Sequence, residues 1–337
     1  MNLLFLSQAD VLASGGADMA AAIADAREGF ALFMDGKINQ PHKVTLKDSK
    51  HDPGSIINFM PVSIETPTGT IISCKSVSVM AADPIDVPRI EGLITLFDPA
   101  TKAPLCIMDG AVISAMRTGA VTAVAAAKLA ELKATEIGLI GAGVNMRTQL
   151  FGLQAVLPKL QRVRVYSRGR SKHDFARDLS QRLHLDIVPV DTAEAAVRDL
   201  PIVVNCIIPG GTPFIDSSWL NPAGFSLFNV GGRVIDPEIL QTFDRIVVDS
   251  WEHSRHRGGQ THALAVEAGV LDPNRIEDLG PILAGDRLGR ESPHDRIYFS
   301  PVGMGFADGL VADRVYRAAL AAGRGTTLEL HSDQPWI

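Results

Sequence analysis

Residues 138–150 read GLIGAGVNMRTQL. Residues 137–140 are a β-rich run, two glycines follow at 141 and 143, and the segment after Gly143 has helical spacing. A strand, a glycine turn and a helix in that order make a dinucleotide cradle. Gly141 suits the tight turn, and Gly143 lets the backbone approach a pyrophosphate. The N–H groups of Val144 and Asn145 open the helix, where unpaired donors and the helix dipole favour an anion. The third position of the fingerprint is Met146 rather than Gly or Ala. A larger side chain must therefore fit between helix and strand.

Outward from this turn, β-rich runs alternate with helical or turn segments: EIGLI, RVRVYS, DIVPV, PIVVNC, GFSLFNV and RIVVDS. This is the βαβ pattern of a parallel, doubly wound, Rossmann-type sheet. Cys206 and Val230 end the fourth and fifth runs, on the edge where such a sheet meets its cofactor. The end of the second strand selects between cofactors, because an NAD site usually places Asp or Glu there to bond the ribose 2′-OH. Here it reads VYSRGRSK, with Ser167, Arg168 and Arg170. Two guanidinium groups suit a 2′-phosphate, so NADP is favoured over NAD, the alternative being an exposed basic loop.

The glycine turn starts late, and the preceding text is different. Residues 17–33 have helical apolar spacing and stop at Asp35-Gly36. Short strand-like runs follow at 43–46, 55–60, 70–79, 92–97 and 104–108, separated by turn sequences such as HDPG and ADPIDVP. Short strands with short connections predict a mainly antiparallel sheet. GAVISAMRTGAVTAVAAAKLAEL reads as helix with a break at Arg117-Thr118 and Thr118 as N-cap. Residues 306–322 are again helical and lie beyond the last βα unit. The expected fold is α/β: a Rossmann domain, 118–303, inserted in an α+β substrate-binding and dimerisation domain, 1–117 plus 304–337.

The bulk properties fit a soluble globular chain. Of 337 residues, 46% are hydrophobic and 21% charged, which excludes a disordered polypeptide. A net charge of −6 argues against nucleic acid as a main partner. No apolar run is read as a membrane span, and the N-terminus lacks a signal peptide's basic region. Cys74, Cys106 and Cys206 read as reduced structural thiols. Together these features predict a cytoplasmic protein.

Cations stand where a core is expected. In IISCKSVSV, Ile71, Ser73, Lys75, Val77 and Val79 share one face. A buried Lys needs an anion or another partner, while an edge-strand Lys would reach water. Arg117 follows the apolar AVISAM, and guanidinium groups suit carboxylates. With Lys43 of QPHKVTL they make a candidate pocket for an amino or keto acid. His253, His256 and His262 lack a metal-ligand spacing, so a surface helix with a basic patch is expected there and no metal site. Glu65 and Asp308 cannot be assigned by spacing.

SCKSV, AMRTGAVTAVAAAKLA, IGLIGAGVNMRTQL and SPVGMGFAD together resemble the ornithine cyclodeaminase/mu-crystallin family, in order and over nearly the whole chain. The resemblance implies a homodimer, and a substrate carboxylate held by Lys75 and Arg117 with Lys75 near the reacting carbon. The first basic position, often Arg in the family, is Lys43. Ornithine cyclodeaminases proper carry an acidic residue after the VGG-type turn, which handles the substrate amine; NVGGRVID has Arg233 there. A guanidinium would repel a second ammonium group and attract a second carboxylate.

LFLSQADVLASGG, QPHK, VVDSWEHSRHRGGQTHALAVEAGVL, LAGDRLGRE and GTTLEL resemble the N-(2-amino-2-carboxyethyl)-L-glutamate dehydrogenase branch, whose substrate is an opine-like secondary amine. The second strand of that branch resembles an NAD site with Asp, from which Ser167 departs. The expectation is an NAD(P)-dependent dehydrogenase acting at a Cα–N bond, with Lys43, Lys75, Arg117 and Arg233 as carboxylate binders. Lys75 transfers protons if burial among cations disfavours its charged form. A ketimine reductase or alanine-dehydrogenase-like enzyme, a cyclodeaminase and a crystallin-like nucleotide-binding protein are the alternatives.

Overall fold

A computed structural model describes residues 1–47, 50, 54–80, 88–207, 215–257 and 259–332. The turns expected at 51–53 and 82–87, and Gly258, lie outside the described residues. The chain forms two compact units, Met1–Arg117 with Met304–Ile337, and Thr118–Gly303.

Among the described residues the first unit holds an eight-stranded sheet. Its main path runs Thr326–Glu329, Asn2–Leu6, Pro104–Asp109, Ile90–Phe97, Gly69–Val79, Ile56–Thr66 and Ile38–Asn39, with Val44–Lys47 also paired to Ile56–Thr66. The sheet is antiparallel except where Asn2–Leu6 runs parallel to Pro104–Asp109. The strand Ile56–Thr66 runs to 11 residues, well past the expected 55–60. The outermost pair, Asn2–Leu6 and Thr326–Glu329, joins the two ends of the chain and was not expected.

Period-two alternation sorts this sheet's residues between two faces. Met60, Val62, Ile64, Ile71, Val77, Ile94, Leu96 and Met108 are buried. The helices Met19–Met34 and Gly305–Ala321 pack on the sheet and on each other, and Phe30 meets Phe306 edge to face at 5.2 Å. On the alternate positions Val44, Leu46, Ile57, Phe59 and Leu93 remain exposed.

Among the described residues the second unit carries an eight-stranded, all-parallel sheet. Its order is Asp186–Pro189, Arg162–Tyr166, Glu136–Ile140, Ile202–Asn205, Phe225–Asn229, Arg296–Ser300, Arg245–Val248 and Ile276–Asp278. All six expected strands are present. Ile276–Asp278 and Arg296–Ser300 are additional, the latter inserted between its fifth and seventh members. Chain order reverses between Glu136–Ile140 and Ile202–Asn205, the switch point at which such sheets bind ligands.

Ala111–Leu129 is one continuous helix, so the expected break at Arg117-Thr118 does not occur and Thr118 is not an N-cap. The cap lies earlier: Asp109 Oδ1 accepts from Val112 N at 3.0 Å. Arg is a good helix former and Thr costs only tenths of a kcal/mol, so the apolar spacing carries the helix through. By length and hydropathy this helix also meets the requirement for a membrane span, contrary to the sequence reading, yet most of it is buried inside the protein.

Candidate functional site

The first unit buries an ion cluster. Lys75 sits on an interior strand, between Met60 and Ile94, which excludes the edge-strand alternative. It is 1% exposed. Its Nζ donates to Asp308 Oδ1 at 2.7 Å and to Ser114 Oγ at 3.0 Å. Arg117 Nε donates to the same Asp308 oxygen at 3.0 Å, and that side chain is 11% exposed. The sequence reading surrounded Lys75 with cations; the charge in contact with it is a carboxylate instead.

Asp308, also 1% exposed, is the functional candidate that sequence spacing missed. It lies in the first turn of Gly305–Ala321, where the helix dipole favours a carboxylate. Two features seat that turn. Gln40 Oε1 accepts from Phe306 N at 3.0 Å, so the first residue of QPHK satisfies an N-terminal donor of the helix. Gly309 lets the helix close on the sheet, since a Cβ there would lie 2.8 Å from Ser73 Oγ. Asp308 Oδ2 is buried without a partner, an arrangement that costs about 1–3 kcal/mol.

Lys43 is half-buried and sits just before the Val44–Lys47 strand rather than inside it. Val44 pairs with Phe59, and the next residue, Met60, pairs with Lys75. This register puts Lys43 about two strand spacings, ~10 Å, from Lys75. Arg233 belongs to the second unit, is 36% exposed, and bonds Asp236 at 3.2 Å.

In the second unit four of the expected cofactor residues lie at one edge of the sheet, and Thr118 lies within the helix Ala111–Leu129. Gly141, Ser167, Cys206 and Val230 each follow the carboxyl end of a parallel strand. Gly141 has φ +112°, where a side chain is strained, and a Cβ there would meet Ile207 at 2.9 Å. Gly143 caps Val144–Val156 with no side-chain bond, and a Cβ on it would meet nothing within 4 Å. Open space therefore lies at Gly143 itself, beside the first N–H groups of the helix. Met146 is fully buried. This helix comes close to the helix Ala111–Leu129 at Gly152, whose Cβ would lie 2.6 Å from the Gly119 carbonyl.

Two buried amides brace that edge. Asn205 Nδ2 donates to Asn229 Oδ1 at 2.8 Å, and Asn229 Nδ2 donates to Tyr298 Oη at 2.8 Å. Asn205 Oδ1 also accepts from Ile207 N, and Asn205 O accepts from Val230 N. Arg168 and Arg170 are exposed, and no carboxylate follows the second strand before them. Ser167 Oγ accepts from Lys172 N at 3.1 Å and so secures the start of Ser171–Leu183.

The remaining candidates are structural. The three cysteines are free thiols. Burial pushes Cys106 up to about 12 and raises Cys206 as well, so neither is a ready nucleophile. His262 is not on a surface helix: it is fully buried, its Nε2 lies 2.5 Å from Ser254 Oγ, and burial pushes it down to about 3.

A doubly wound parallel sheet with a glycine turn at its switch point makes the second unit a Rossmann-type nucleotide-binding domain. The chain belongs to the ornithine cyclodeaminase/mu-crystallin family, whose profile matches residues 3–323. It is 27% identical to N-((2S)-2-amino-2-carboxyethyl)-L-glutamate dehydrogenase of Staphylococcus aureus, covering 98% of this chain and 99% of that protein. Among solved structures, Δ(1)-pyrroline-2-carboxylate reductase of Thermococcus litoralis, in complex with NADH and L-proline, superposes with a TM-score of 0.89. It is 29% identical, over 96% of this chain and 99% of that one. An archaeal alanine dehydrogenase dimer with bound NAD gives 0.87 at 28% identity, over 98% of this chain and 100% of that one.

Proposed function

We propose that this chain is an NAD(P)-dependent oxidoreductase acting at the Cα–N bond of an amino-acid or opine-like substrate. The observation that carries the reading is the buried Lys75–Asp308–Arg117 cluster. It keeps two cations in the core of a protein whose relatives are amino- and imino-acid dehydrogenases and reductases. An ion cluster there is weak as a source of stability and stronger as a sign of function.

Gly141, Gly143, Val144 and Asn145 would hold the pyrophosphate, with Thr118, Cys206 and Val230 bordering the nucleotide. Ser167, Arg168 and Arg170 favour NADP(H), because they offer guanidinium groups and no carboxylate. When bound, the nicotinamide supplies hydride acceptance, or donation in reverse. Arg117 spends its Nε on Asp308, and its Nη end is suited to fork a substrate carboxylate. Lys75, charged against Asp308, would donate to the substrate rather than act as its base, and the proton that leaves the substrate nitrogen goes to water. Loss of hydride from Cα turns the amine into an imine; water adds to that carbon, and the C–N bond breaks to give an oxo acid and an amine. On this reading Lys43 would hold a second carboxylate and Arg233 a third, which favours an opine. Each copy works in a homodimer, in the cytoplasm.

A simpler substrate has its own support. The cluster sums to one net positive charge, matching one carboxylate, and Arg233 already pairs with Asp236. An alanine-dehydrogenase-like or ketimine-reducing enzyme would need no more.

One assay separates the two. Purified protein with NAD+ or NADP+ is offered opines, amino acids and diamines, and reduced cofactor is followed by absorbance. Net reduction with a polycarboxylate opine supports the first reading. Turnover limited to alanine, or to cyclic imines with reduced cofactor, selects the second. Conversion of ornithine to proline without net reduction rejects both.

A further inference from the structure

We infer that Asp308 is a positioning residue that acts through Lys75 and Arg117, serving as the internal counter-ion of an anion-binding pair. The role rests on the proposed reading of that pair as the substrate-carboxylate site. Three observations support it. One oxygen, Oδ1, holds both cations, at 2.7 and 3.0 Å. The other oxygen is buried and accepts from nothing. The helix turn that bears the carboxylate is fixed twice over, by Gln40 at Phe306 N and by Gly309 against Ser73 and Ile64.

Stability alone does not select this arrangement. Well-packed apolar side chains are usually at least as stable as a buried ion pair, and an orphaned carboxylate oxygen adds cost. What the arrangement supplies is order. Asp308 lets two like charges be buried side by side before any substrate arrives. It also fixes the direction of Lys75 Nζ and of the guanidinium plane. Without it the two cations would still attract a carboxylate, but a small anion could settle between them in the place of Asp308, and the reacting carbon would be misplaced.

The sign of the effect follows. Removing Asp308 makes the pair more positive, so KM for a carboxylate substrate does not rise, whereas kcat falls because orientation is lost. A merely structural aspartate would instead lower thermal stability and change both constants together, with no response to added anions.

The test uses the full-length chain with Asp308→Ala and Asp308→Asn. For Asp308→Asn, kcat is expected to fall at least a hundredfold with KM within threefold of wild type. For Asp308→Ala, millimolar formate is expected to restore at least a tenth of the wild-type rate in a saturable manner, and to raise the melting temperature of the variant but not of wild type. The melting arm needs no turnover, so it holds even if the substrate panel yields no reaction. Wild-type kcat in Asp308→Asn overturns the inference. So does an Asp308→Ala protein whose melting temperature and rate ignore formate. If Asp308→Ala does not fold, the split between kcat and KM in the isosteric Asp308→Asn decides alone.

Discussion

Two residues show how a single side chain can be read against its surroundings. Arg168 is exposed beyond the second strand, with no acidic residue there to receive a ribose hydroxyl. If it meets a 2′-phosphate, Arg168→Ala weakens NADP(H) about ten- to a hundredfold, the worth of a charge-assisted contact. NAD(H) affinity stays within twofold. Titration of the reduced cofactors by fluorescence checks this, and equal losses for both mean the loop is only surface. His262 gives a pH prediction. Burial holds its folded value near 3, below the ordinary 6.5. The unfolded chain therefore binds this proton first as pH falls, and folding stability is lost from pH 6.5 downward, with no contribution from this group above it. Between pH 6.5 and 5 the loss is about 2 kcal/mol. His262→Gln is expected to flatten the acid side of the stability–pH curve by that amount, read by denaturant unfolding at the two pH values. An unchanged slope sinks the assignment.

Secondary elements were legible where they were long and periodic, and illegible where they depend on a distant partner. The glycine turn, six parallel strands and the terminal helix follow from local pattern alone. Asn2–Leu6 and Thr326–Glu329 do not, because both are short and Thr326–Glu329 is an edge strand whose partner comes from the other end of the chain. Arg296–Ser300 is missed for a related reason: it enters the sheet between two strands that precede it in sequence. Thr118 misled because an N-cap residue inside a helix looks the same in sequence as one at its start. The same helix meets Val144–Val156 closely, its Gly119 carbonyl facing Gly152. Gly152→Ala should gain about 1 kcal/mol of helix propensity. It also places a Cβ 2.6 Å from a backbone oxygen that cannot rotate away. Overpacking costs about 1–3 kcal/mol, so the clash is expected to win and the melting temperature to fall. A rise would show that the two helices separate easily.

At the scale of the molecule, two of the three residues of the proposed substrate cluster were readable and one was not. Lys75 and Arg117 announce themselves as charges in apolar text. Asp308 lies 233 residues from Lys75 in sequence, and only the fold brings them within 2.7 Å. The first unit leaves a second mark that single residues do not explain. Val44 and Leu46 pair with Phe59 and Ile57 on adjacent strands, and Leu93 extends the same face across Ser76. All five apolar side chains are exposed. Isolated exposed apolar residues are ordinary, but a contiguous set on a sheet face marks an interface. The archaeal alanine dehydrogenase of similar structure is a dimer, and a second copy of this chain is the expected occupant. Light scattering should then give twice the 36.1 kDa chain mass. Leu46→Glu with Phe59→Glu puts two like charges per copy into the buried face, which costs several kcal/mol on association. That variant is expected to run as a folded monomer with its nucleotide titration unchanged, since the glycine turn belongs to the other unit. A wild-type monomer, or a double variant that stays dimeric, would place the interface elsewhere.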